Sequence, residues 1–331
     1  MANFNKWVFI SLSSVYFLIF VGSLVRASGA GMGCPDWPKC YGQIIPPTSQ
    51  EQIDDGLEEI LTAKRVKKYQ RFLSVINSVN LSQFLVVEGY DVYASQPFNA
   101  TKTWIEYLNR LCGVAVGFII IVLLFKALRL KKYKIKYALL VFLLLLVTMF
   151  EGFIGSLVVA ANLLPGIITV HMFFALIMVG LLIMIFVQTK GEVQMRYFSS
   201  KIYLFAMVVL FCQVLLGTTV REEVDLLLKN IVRDDIIDNL GLGFIIHRSF
   251  SWLLLAGSVY LYYKTPKDYS WEKKLNLWAL ILIGISFLTG VLMDRIHLPF
   301  IIQPIHLVQA TLLLGIYFYQ LYCSKVKNEV K

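Results

Sequence analysis

Four histidines stand among the 331 residues, and three of them fall at positions that recur. "YLNR" at 107–110 has the rhythm of "IIHR" at 245–248, in which a polar residue precedes an arginine. "GSLVVAANLLPGIITVH" closes on His171 and "GVLMDRIHLPFIIQPIH" on His306, each following its first glycine by the same interval. A single histidine inside an apolar helix is more often a polar contact between helices than a ligand. Three at one depth, with His247 and His306 paired in one half of the chain, point instead to metal ligation. That pair can clamp one metal from opposite sides. With no Cys/His cluster for zinc and Leu, Ile, Phe and Gly around the pair, a bis-histidine heme is the natural candidate. Gly241, Gly243, Gly257 and Gly290 would admit a flat macrocycle; their other use is close helix packing. Arg110 and Arg248 directly follow the ligand positions, and their recurrence favours pairing with heme propionates over plain snorkelling.

The two halves are not equivalent. Asn109 stands where the other copy has His247, and Glu106, three residues earlier, shares its helical face; the matching position before His247 is Phe244. One half therefore offers a carboxylate, His171 and a weak or absent second ligand, which suits substrate chemistry. The other offers two strong ligands and an apolar neighbour, which suits electron transfer. The plainer reading of Glu106 is an interfacial residue at a helix start. Glu151 and Gln213 are further polar residues at membrane depth, and His297 reads as a solvated residue of a short loop rather than a ligand. In "CPDWPKC" (34–40), two prolines and a tryptophan make a tight turn able to bring Cys34 and Cys40 together. A structural disulfide is the default there, and a redox relay is the sharper alternative.

What positions these residues is a membrane. The chain is 58% hydrophobic and 16% charged, with a mean hydropathy of +0.69, too apolar for a soluble domain. Apolar stretches long enough to cross about 30 Å of hydrocarbon give eight expected spans, near 7–25, 104–125, 137–159, 166–188, 202–220, 240–263, 277–293 and 301–323. The first ends in a charged motif and has no small-residue cleavage site, so it reads as a span rather than a signal peptide. No transit peptide precedes it, which favours a bacterial inner (cytoplasmic) membrane, crossed in many passes. The connections 126–136, 189–201 and 264–274 and the tail are basic, whereas 161–165, 221–239 and 294–300 are poor in cations, so both termini are expected in the cytoplasm. The net charge of +10 is mostly this topogenic signal, and nucleic acid is not an expected partner. Cys34 and Cys40 then lie outside, where disulfides survive, while Cys112, Cys212 and Cys323 read as free thiols.

The expected fold is an all-α integral membrane protein of eight transmembrane helices in two pseudo-symmetric four-helix bundles. The N-terminal bundle, 1–190, carries a long external loop, 26–103, and the C-terminal bundle is 191–331. "VGSLVR" (21–26) answers "LGTTVR" (216–221) in the same repeat. The charged, amphipathic part of the loop reads as surface helices, serving as a lid, a docking surface or a tolerated insertion. "NLS" (80–82) and "NAT" (99–101) fit a glycosylation pattern that carries little weight in a bacterial chain. A transporter finds little support, since no broken helix pair is evident.

"GSLVRASGAGMGCPDWPKCYG", then "IEYLNR", His171, "IIHR" and a closing "PIHL", together resemble the heme A synthase family of bacteria and mitochondria, over almost the whole chain apart from the loop after Pro47. The resemblance implies an oxidoreductase that converts the C8 methyl group of heme O into the formyl group of heme A for terminal oxidase assembly. It implies heme b held by His247 and His306 in the C-terminal half, and the substrate heme O held by His171 in the N-terminal half. Glu106 would be the catalytic glutamate, Arg110, Arg248 and Asn109 would line the heme sites, and Cys34–Cys40 would be the external disulfide. Implied partners are heme O synthase, a membrane or soluble electron donor, and the lipid bilayer, with room for a homo-oligomer. The chain departs from the family at Asn109, where histidine is usual. Either His171 alone holds the iron and the other face stays open, or the protein is a heme b electron-transfer or assembly protein without methyl oxidation. Retention of Glu106, His171 and Arg110 around the change favours the enzyme.

Overall fold

The computed structural model describes residues 1–78, 97–131, 133–190, 197–228 and 231–326. The "NLS" pattern, residues 191–196 of the basic segment 189–201 and most of the basic tail lie outside these residues. Nine α-helices account for nearly all described secondary structure: α1 (Ala2–Ala27), α2 (Leu57–Ser78), α3 (Ala100–Leu128), α4 (Lys134–Ala160), α5 (Pro165–Lys190), α6 (Ser200–Leu227), α7 (Leu242–Lys264), α8 (Ser270–Arg295) and α9 (Ile302–Val326). All but α2 are long and apolar enough to cross a membrane, and the protein is a multi-pass membrane protein.

Six of these eight helices outrun the expected spans at both ends, and α7 and α9 at their C-terminal ends only, because polar flanks keep the helical hydrogen bonds going past the hydrocarbon. The connection expected over 221–239 is helical as far as Leu227, where Arg221 pairs with Asp225 one turn on, at 2.6 Å. Helix ends follow local chemistry. Asn99 caps α3 by accepting a hydrogen bond from the Lys102 N–H at 3.0 Å, so the "NAT" asparagine serves as an N-cap. Gly29, at φ 67°, ends α1 in a left-handed turn closed by the Ala30 N–H on the Val25 carbonyl.

Two compact units divide the chain, Phe17–Met178 as a first unit and Met1–Tyr16 with Val179–Lys331 as a second, so the division falls within α1 and α5. In the second unit α6, α7, α8 and α9 form a ring in which each helix packs on the next and α9 returns to α6. Buried polar pairs pin this ring, among them Ser258 Oγ to the Tyr317 hydroxyl at 2.8 Å and Gln320 Nε2 to Asn276 Oδ1 at 2.8 Å. The turns before α5 and α9 share one device: Asn162–Leu163 and His297–Leu298 both have positive φ, each just ahead of a proline. His297 is thus a turn residue, with Nδ1 3.0 Å from the Asp234 carbonyl oxygen.

In the first unit α3 packs on α4, and α2 lies across α4. Leu61, Arg65 and Tyr69 fall at helical spacing and form the buried face of α2. Tyr69 joins Ile154, Leu157, Ala161, Leu164 and Ile167 in one apolar cluster. Arg65 donates to Asn162 Oδ1 at 3.1 Å, and Lys68 donates to Ser156 Oγ at 3.0 Å. The surface helix expected in the long loop is therefore tied to the α4–α5 hairpin by a charged and apolar seam.

Candidate functional site

In the first unit the disulfide turn and the start of α3 form one assembly. Cys34 and Cys40 are bonded, and Asp36 closes the turn by accepting hydrogen bonds from the N–H groups of Tyr41 (2.7 Å) and Gly42 (3.0 Å). The turn lies so close to α3 that a Cβ on Gly33 would overlap the Lys102 carbonyl, which glycine alone avoids. Thr103 Oγ1 donates to the Gly33 carbonyl at 2.8 Å. Two turns along α3, Arg110 donates to the carbonyls of Cys34 (2.7 Å), Asp36 and Lys39 (3.3 Å). Its Nε binds Glu106 Oε1 at 3.0 Å, with Glu106 only 5% exposed. The guanidinium expected at a propionate is here the clasp between the catalytic candidate and the disulfide turn. Such planar multidentate binding suits arginine and not lysine.

Asn109 turns away from that clasp. A Cβ placed on Gly22 of α1 would stand 3.9 Å from Asn109 Oδ1. The same pairing of a glycine on one helix with a ligand-position residue on the next recurs three times. Gly155 faces His171 Cε1 at 3.5 Å, Gly217 faces His247 Cε1 at 3.0 Å, and Gly290 faces His306 Cε1 at 3.6 Å, each measured from an added Cβ. At Gly217 any side chain would crowd the imidazole. These glycines admit rings, not merely helices.

His171 has a partner that the sequence did not single out for it. Its Nδ1 lies 2.6 Å from Glu151 Oε2 on α4, and Glu151 is 8% exposed. A nitrogen held this way leaves Nε2 as the ring atom that could ligate a metal. Distances tie Glu106 to Arg110 and Glu151 to His171, so this unit holds two separate carboxylates with different basic partners. Lys68 adds a cation at its Ser156 contact, the residue after Gly155. Burial, then the nearby Arg110 charge, hold the Lys68 ammonium below the usual lysine range. The folded state therefore binds this proton less tightly than the unfolded chain, and docking of α2 strengthens as pH rises from that lowered value to the ordinary lysine range. Amide exchange within 57–78, corrected for intrinsic rates, is expected to slow as pH rises toward the ordinary lysine range, and Lys68→Met should remove the dependence.

In the second unit the rings of His247 and His306 stand 6.4 Å apart, centre to centre. With metal–nitrogen bonds of about 2.0 Å and roughly 1.1 Å more to each ring centre, two imidazoles sharing one iron would stand about 6.2 Å apart. His306 Nδ1 is 2.9 Å from Thr289 Oγ1, and the His247 carbonyl accepts from Gln213 Nε2 at 2.8 Å. The buried Nδ1 of His247 has no hydrogen-bond partner among the described residues. No group of three or more His, Cys, Asp or Glu able to hold a metal occurs among the described residues. Two ligands with no third suit a metal whose other positions are filled by a macrocycle. Arg248 is mostly exposed, its nearest anion being Asp294 at 3.9 Å, and its guanidinium lies over the Phe244 ring.

Residues 5–318 match the COX15-CtaA family, described as cytochrome oxidase assembly protein. The heme A synthase of Flavobacterium johnsoniae is 21% identical over 96% of this chain and 98% of its own length. That of Rickettsia prowazekii is 23% identical over 94% and 95%. The match to the heme A synthase of Shewanella oneidensis, 23% identical, covers 55% of this chain and 44% of that protein.

Proposed function

Because the chain belongs to the COX15-CtaA family of cytochrome oxidase assembly proteins, we propose that it is a heme A synthase, an oxidoreductase that turns the C8 methyl group of heme O into a formyl group. The observation that carries this reading is the inequality of the two histidine centres. His247 and His306 bring their rings within 6.4 Å of each other, centre to centre, close enough that both would hold one iron, whereas His171 has a carboxylate behind it and Asn109 at the position matching His247.

In this reading His247 and His306 hold a resident heme b, with Arg248 beside a propionate. His171 holds the iron of the substrate heme O, and Asn109 leaves the opposite face open. An iron porphyrin so bound supplies one-electron and oxygen chemistry that protein side chains lack. Turning methyl into formyl exchanges two C–H bonds for a C=O bond, with dioxygen as oxidant and oxygen source. The remaining oxygen of each dioxygen leaves as water on the donor's electrons, so protons released from the carbon need an acceptor in the chain on their way to water. Glu106 is that acceptor, its Oε1 held by Arg110 and its Oε2 left to take the proton. Arg110 orients the carboxylate and fixes the disulfide turn over this end of α3. The N-terminal bundle, 1–190, is the substrate half and 191–331 the heme b half of a pseudo-symmetric pair. Both termini face the cytoplasm of a bacterial inner membrane. Heme O synthase delivers substrate, an electron donor in or on the membrane completes the cycle, and the chain can form homo-oligomers.

Pigment extracted from cells that make heme O, with and without this protein, tests the proposal. Heme A is expected only with the protein, and heme b bound without any heme A would identify a carrier instead. The Asn109→His variant belongs in the same experiment. An adapted open site gives no gain in heme A from it, and a large gain marks the native site as impaired.

A further inference from the structure

The two centres also differ in what holds the far side of each ring. His171 Nδ1 meets the carboxylate of Glu151 at 2.6 Å. Among the described residues the His306 ring meets neutral groups alone, the hydroxyl of Thr289 at 2.9 Å from Nδ1 and the backbone of Ser286, while Gln213 grips the backbone of His247 and not its ring. The difference is written in helix register. Glu151 precedes Gly155 by one turn, as Gln213 precedes Gly217 and Ser286 precedes Gly290. In each case the glycine faces a ligand-position histidine. Of three equivalent places, one alone carries a charge, and it lies behind the one histidine that has asparagine at its partner position.

We propose that Glu151 is a positioning residue for His171, orienting the ring with Nε2 toward the iron and making it a stronger donor, so that the iron it holds has a lower reduction potential than the iron between His247 and His306. This rests on the reading of His171 as the ligand of the substrate heme. Burying a carboxylate is costly, and packing alone would be served as well by an amide or an apolar residue. The 2.6 Å contact with the Nδ1 edge supplies the compensation, and a carboxylate so placed draws an Nδ1 hydrogen toward itself and makes Nε2 the stronger donor. A neutral hydroxyl does this far more weakly. Since Asn109 adds little or nothing from the other side, the donor strength of His171 alone sets the electron density at that iron. The chain thus separates the potentials of its two hemes with one side chain set one helical turn before a glycine.

The test uses the full-length protein purified with both hemes, followed by spectroelectrochemical titration and resonance Raman spectroscopy. Glu151→Gln is expected to raise the potential of the first-unit heme and lower its iron–histidine stretching frequency in the reduced form. The second-unit heme should not move. Thr289→Val is expected to leave the first-unit heme unchanged, and Glu151→Asp, which keeps the charge, to restore part of both signals. Identical behaviour of the Gln and Asp variants, or an unchanged stretch and potential in Glu151→Gln, would overturn the proposal. His171→Ala is the control for its premise. A first-unit heme that survives this change shows that His171 is not its ligand, a separate failure from that of Glu151.

Discussion

His306→Ala is expected to abolish the six-coordinate heme signal of the purified protein and to weaken heme retention in the second unit by at least about 100-fold. The magnitude follows from metal sites in which losing only a hydrogen-bond partner of a ligand already costs 10–100-fold; here the ligand itself is lost. His247→Ala should do the same if the two rings, 6.4 Å apart, hold one iron as proposed. Neither change should unfold the bundle. Both rings face glycines, so alanine opens space without breaking the Ser258–Tyr317 or Asn276–Gln320 pairs that tie the ring of helices. Some thermal stability will still be lost, since a ligand present at about 100 times its dissociation constant stabilises the folded state by about 2.7 kcal/mol. Absorption spectra of the reduced protein and pyridine extraction of the retained heme measure both effects. A spectrum unchanged in either variant would remove this pair from the heme site.

Most of the framework was open to the sequence because the bilayer makes a simple demand. Every backbone polar group must be satisfied within the span, so eight long apolar runs become eight helices. The shared setting of three histidines was legible for a related reason: an imidazole in hydrocarbon needs a purpose, and the three repeat-related positions each bring a ring against a glycine of the neighbouring helix. Partners across helices were not legible. Glu151 read as an isolated polar residue at depth because nothing in one helix reveals which neighbour it meets, and its pairing with His171 depends on how α4 and α5 face each other. The one available signal was its place one turn before Gly155, matched by Gln213 and Ser286.

Arg110 shows the opposite limit. Its position after Asn109 and its echo at Arg248 suggested one job for both, yet their surroundings separate them. Arg248 is 57% exposed along its side chain, whereas Arg110 is 12% exposed and bound to three carbonyls of the disulfide turn. The repeat predicts positions, and the loop inserted beside one copy decides what each position does. That loop brings its own helix as well, whose Arg65 and Lys68 reach the α4–α5 hairpin at residues flanking Gly155 and Leu163. Charge pattern alone marked this helix as a surface feature and could not say which surface it covers.

Glu106 has two duties that separate variants can distinguish. Glu106→Gln keeps an oxygen to accept the Arg110 Nε–H but gives up the proton acceptor. Heme A formation is therefore expected to fall by about 100-fold or more, the scale of a lost general base, with heme still bound and the fold intact. Arg110→Met does the reverse. It leaves a buried carboxylate uncompensated and takes a donor from the carbonyls of Cys34, Asp36 and Lys39, a loss of about 3–5 kcal/mol. The double variant should then be more stable than Arg110→Met alone, because the stranded charge is gone. That non-additivity is the mark of a direct pair. Thermal unfolding in detergent reads the stability arm and pigment extraction the chemical one. If Glu106→Gln forms heme A at the native rate, the carboxylate only anchors Arg110, and the proton acceptor must be sought elsewhere. If it loses heme A while Arg110→Met loses stability first, the clasp and the chemistry meet in one side chain, and the disulfide turn is held where it is so that Glu106 can act.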